Sequence, residues 1–142
     1  MKGLLNPYQR RSIEISLRRF EENLRNALSI LDGRDVNGIL FTKRLDVSEK
    51  KKAKARDLIN SALGQIHELK ALFDFQSEEQ DLARQIASEM SISWENLMDA
   101  RAKKLRGYGE VHSELAGILD PQIKSLSAIA LKLATLFGEE DD

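Results

Sequence analysis

Apolar residues recur along this chain at alternating spacings of four and three. After Asn6-Pro7 they fall at Ile13, Leu17, Phe20, Leu24, Ala27 and Leu31. That rhythm keeps one face of an α-helix apolar and suits helices packed lengthwise. Asn6 can cap the helix start, and Pro7 at the first position loses no bond, because that N–H has no partner in a helix. Gly33 supplies a left-handed stop, so a first helix is expected from about Pro7 to Asp32. On its wet side Glu14 with Arg18, and Glu21 with Arg25, stand four apart in the favourable order.

The rhythm returns at Ala55, Ile59, Ala62, Ile66, Leu69 and Phe73. A second helix is expected from Asp46 or Ser48 to about Asp74, with Asp46 and Glu49 as its capping box. After a short break at Phe75-Gln76, Ser77 and Gln80 form another box. They open a third helix from Glu78 to Arg106, ended by Gly107. Its inward face is read as Ala83, Ile86, Met90, Trp94, Leu97, Arg101 and Leu105. A short helical piece follows over Glu110 to Leu119. Asp120-Pro121 then repeats the Asn6-Pro7 signal and starts a last helix, Pro121 to Phe137. Leu126, Ile129, Leu133 and Leu136 form its stripe, but it is apolar most of the way round, which marks a helix that is central or shared with another chain.

These elements predict an all-α fold: an antiparallel four-helix-type bundle with three long helices, a short helix and a Pro-started C-terminal helix, in one domain over 1–142. The thirteen-residue connection Gly33–Leu45 could reach roughly 43 Å if extended, so up-down and crossover orders both stay open.

Composition narrows the chemistry. At 142 residues with 42% hydrophobic and 32% charged side chains the chain is globular. No cysteine and only two histidines exclude a disulfide framework, a thiolate metal site and a three-histidine centre. Neither His67 nor His112 has a glutamate three residues before it, so the di-iron bundle motif is absent. No cofactor and no metal are expected. The net charge of -1 hides an asymmetry, +7 over residues 1–56 and -8 over 57–142. An antiparallel bundle would pair such halves. The N-terminal stretch has too little apolar length for a signal peptide, and Leu126–Phe137 is too short to span a bilayer. A cytoplasmic protein without membrane contact is the expectation, and the acids at 139–142 read as a solvated tail.

Four features could carry function. Arg106 and His112, six apart, resemble the RNase motif of HEPN helical domains, which are bundles of similar length. The resemblance implies that histidine and arginine act on a ribose hydroxyl and phosphate of RNA, although Gly107 stands where that family has a polar residue. Lys50, Lys51, Lys52, Lys54 and Arg56, with Lys43 and Arg44 upstream, could contact anions. They lack the interleaved aromatics of a base-stacking surface, so nucleic acid is an open alternative. Glu78, Glu79 and Asp81 are acidic like the magnesium sites of MazG-type pyrophosphatases, but no glutamate follows at 82 or 83. The connection Gly33–Leu45 carries Val36, Ile39, Leu40 and Phe41 around Asn37-Gly38, a possible hairpin. It is expected to be ordered and to fold over the bundle end, or else to present an apolar patch. The reading favoured by the sequence is a non-enzymatic interaction or assembly protein that self-associates. Its expected contacts are Ile39, Leu40, Phe41 and Leu131, and charge at Leu131 or Phe41 would disrupt it.

Overall fold

A computed structural model describes residues 3–140. Met1 and Lys2 of the N-terminal stretch, and Asp141 and Asp142 of the expected acidic tail, lie outside the described residues. The fold is all-α. Four α-helices form two antiparallel pairs, with no strand among the described residues. The chain divides into two compact units, Met1–Glu78 and Glu79–Asp142.

The first unit is a helical hairpin of α1 (Pro7–Leu31) and α2 (Glu49–Phe73). Asn6 caps α1 and accepts from Gln9 N–H at 2.8 Å, while the Gln9 side chain accepts from Asn6 N–H. Gly33, at φ 68°, is the left-handed stop expected there. Ser48 caps α2 by accepting from Lys51 N–H. The box expected from Asp46 does not form, because Asp46 pairs with Arg44 at 2.9 Å instead.

Two arginines tie the hairpin ends reciprocally. Arg10, in the first turn of α1, donates to the carbonyl of Phe73 at the end of α2 at 2.6 Å. Arg56, near the start of α2, donates to the carbonyl of Leu31 at the end of α1 at 2.9 Å and to Asp32 at 3.0 Å. Each guanidinium satisfies a carbonyl that the helix end leaves without a partner, where positive charge is favoured. The thirteen-residue connection therefore returns beside α1 instead of crossing a bundle. One turn and two turns after Arg10 on the same face, Glu14 accepts from Gln76 N–H at 2.7 Å and Arg18 pairs with Glu78 at 3.1 Å. The expected Glu14–Arg18 pair is replaced by this strap over 74–78, whereas Glu21–Arg25 forms as expected. Beneath the strap Phe75 is buried, stacked on Phe73 and covered by Arg10.

The second unit contains α3 (Leu82–Met98), a 3-10 helix (Ala102–Tyr108) and α4 (Leu115–Gly138). Two expected boundaries differ. The third helix begins at Leu82, because Asp81 caps it by accepting from Arg84 N–H and Ser77 is held by Lys70. It stops at Met98, where Arg101 Nε donates to the Met98 carbonyl at 2.9 Å and Arg101 itself is extended. The last helix does not start at Pro121. It starts at Leu115, absorbs half of the expected short piece, and carries Pro121 inside. The reason is Asp120: its Oδ1 accepts from Ala102 N–H at 2.9 Å, so it caps the 3-10 helix and not its own helix.

The buried face of α4 also differs from the stripe expected to point inward. Ser127 and Ala130 are buried, with Ile123, Leu133 and Ala134 half-buried beside them. Ser127 donates its hydroxyl proton to the Ile123 carbonyl at 2.8 Å, which removes the cost of burying a polar group. Small side chains let α3 and α4 pack closely, and this pair has the more extensive helix contact of the two. Leu126, Ile129 and Leu136 are left exposed.

Ala102 is only 2% exposed, so its N–H has no ready replacement for Asp120. We predict that Asp120→Ala lowers stability by about 1–2 kcal/mol, read from urea unfolding. Asp120→Asn, which keeps an acceptor oxygen, should retain most of it.

Candidate functional site

Three surfaces gather the residues singled out from the sequence, two in the second unit and one in the first. On α4 a 3-4-3 stripe of Leu126, Ile129, Leu133 and Leu136 runs along one side of the small-residue face. Leu136 is 64% exposed and Ile129 51%, while Leu133 is half-buried. Leu131 is also exposed, but it lies on the other side of the buried face at 100° per residue. A helix with two apolar sides reads ambiguously in sequence. The signal for the correct one was the Ser127, Ala130, Ala134 spacing of small residues.

The α1–α2 connection is built, as its composition suggested. Gly38 N–H donates to the Phe41 carbonyl at 3.0 Å, Lys43 N–H to Asn37 Oδ1 at 2.9 Å, and Lys43 Nζ to Asp35 at 3.2 Å. The turn is centred on Ile39-Leu40, not on Asn37-Gly38, and no strand ladder extends it. The Phe41 ring lies against Gly38, and a Cβ there would have to push this partly exposed ring aside. Lys43 Nζ sits 5.8 Å from that ring centroid. Phe41 is thus folded back, while Ile39 and Leu40 are 101% and 95% exposed. The connection does not lay these two side chains over the helix ends.

The basic run splits by helical phase. Arg56 engages the end of α1, and Lys52 pairs with Glu49 at 3.1 Å. Lys50, Lys51 and Lys54 fall within one 100° arc on the outer side of α2 and are exposed.

Arg106 and His112 come together at an open cleft of about 480 Å³ between the 3-10 helix and the start of α4. Lys103, Glu110, Ser113 and Asp120 also line it. Glu114 N–H donates to His112 Nδ1 at 3.1 Å. That bond uses Nδ1 of His112 as an acceptor. Glu110 and Asp120 offset Lys103 and Arg106, so the lining holds no excess of positive charge for a phosphate.

Among the described residues no helix is long and apolar enough to cross a membrane. No protein-family model matches the chain, and the searches of curated proteins and of solved structures find no significant match.

Proposed function

We propose that this protein is a non-enzymatic assembly protein that pairs with a second copy of itself through α4. The observation that carries the reading is the 3-4-3 stripe of exposed Leu126, Ile129 and Leu136 with half-buried Leu133, left over because α4 buries its small-residue face internally. Evenly spaced apolar residues on a helix face are the seam that a second helix covers.

Orientation follows from charge. Glu140 follows Leu136 by four and continues the seam line, with Glu139 beside it. Parallel pairing would set these acids against their own copies, whereas antiparallel pairing sets Glu140 opposite Gln122. In that register Leu126 faces Leu136 and Ile129 faces Leu133.

The reading is tested by molar mass in solution as a function of concentration. The wild type should be a dimer, and Ile129→Glu should weaken it by roughly 30-fold or more, as for a central interface residue. Leu131→Glu, off the seam, should weaken it less. A wild type that stays monomeric at high concentration refutes the proposal.

A second reading is favoured by one observation, that Arg106 and His112 line the same cleft with Lys103 and Ser113. It makes the protein an RNA-acting domain of HEPN-like type. Labelled single-stranded RNA separates the two. The assembly reading expects no cleavage, and cleavage that vanishes in His112→Ala with unchanged helicity would promote the second.

A further inference from the structure

We infer that the α1–α2 connection is a contact for an anionic bilayer surface, with Ile39 and Leu40 entering the interface and the neighbouring lysines meeting the headgroups. This stands apart from the α4 pairing and departs from the sequence expectation of no membrane contact.

Two independent features converge at this end of the first unit. The first is the apolar tip. Ile39 and Leu40 are almost wholly exposed, and they are held out by a turn with its own hydrogen bonds and a ring packed on Gly38. Each such side chain is strongly unfavourable in water, and a fold that meant to hide them had the adjacent helix ends available. The second is charge. Residues 34–56 hold eight Lys/Arg against three Asp/Glu, a net +5. Lys43 and Arg44 follow the tip directly, and Lys50, Lys51 and Lys54 present one exposed arc two turns into α2 and before. The Arg44–Asp46 pair has both side chains about four-fifths exposed, so it holds Arg44 back little.

The combination selects the partner. At the tip itself Ile39 and Leu40 are aliphatic and offer a base no ring to stack on, and the neighbouring Phe41, 55% exposed, has its ring against Gly38 with Lys43 near its face. A bilayer needs no matching pocket, and it accepts an apolar tip and a set of basic side chains together. Neither part suffices alone, since stable attachment to a membrane surface takes two signals.

The test is co-sedimentation of the full chain with vesicles of phosphatidylcholine alone, or with roughly one-third phosphatidylglycerol. Binding should require the anionic lipid and be lost at high salt, because the attraction is screened. Ile39→Ser with Leu40→Ser should weaken it roughly tenfold or more. Lys50→Glu with Lys51→Glu and Lys54→Glu should weaken it by at least roughly 100-fold, at about fivefold for each lysine lost. Acids in the first turns of α2 favour the helix dipole, so this variant keeps its fold, and circular dichroism checks that. Absence of vesicle binding, equal binding to neutral vesicles, or wild-type binding by both variants overturns the inference. So does a change of oligomeric mass, in place of vesicle binding, when Ile39 and Leu40 become serine. Tighter salt-sensitive binding to RNA than to anionic vesicles overturns it as well.

Discussion

Two helices lying side by side meet along a line, and a line of contact cannot surround a side chain. Every feature of this protein follows from that constraint. Each unit has one helix pair, so within a unit each apolar stripe is covered from one side. Leu24 on α1 and Ile59 on α2 sit on the line itself and are buried, whereas Ile13, Leu17, Ile66 and Leu69 are only half-covered. Phe20 is in phase with the stripe yet nearly half exposed. Apolar burial alone supplies less stabilisation here than in a closed core, so the definition of the fold shifts to the helix ends.

The ends are correspondingly well made. Arg10 and Arg56 close the hairpin from opposite directions, each guanidinium placed on the other helix's last carbonyls. One terminal guanidinium nitrogen of Arg56 donates to both the Leu31 carbonyl and Asp32. The strap over 74–78 adds the one aromatic burial of this unit, Phe75 against Phe73. In the second unit Asp120 performs the equivalent task by fixing the 3-10 helix to α4.

What could be read from the sequence divides along the range of the interaction involved. Asn6, Gly33 and the helical stripes of α1 and α2 were legible, because a cap, a left-handed stop and a period of 3.6 are set within a few residues. Asp120-Pro121 carries the same local signal as Asn6-Pro7, but its oxygen is claimed by Ala102, eighteen residues away. No local rule contains that competitor. The inward face of α4 was illegible for another reason: with apolar residues on several sides, periodicity admits more than one stripe. Only close approach of α3 favours the one with Ser127 and Ala130. Of the candidate site residues, spacing placed Arg106 and His112 in one cleft, yet the bond from Glu114 N–H to His112 Nδ1 is a matter of backbone geometry.

The charge asymmetry gains a physical meaning from these units. Residues 1–78 carry fifteen Lys/Arg against eleven Asp/Glu, and residues 79–142 carry seven against twelve. The sequence alone suggested that opposite halves neutralise each other inside a bundle. The basic excess is not spread along the first unit, however: it is concentrated in residues 34–56, around the tip of the hairpin. Only Arg56 of that group is drawn into tying the helices together, while Lys50, Lys51 and Lys54 face outward. An anionic surface would therefore attract the first unit at its tip and repel the second.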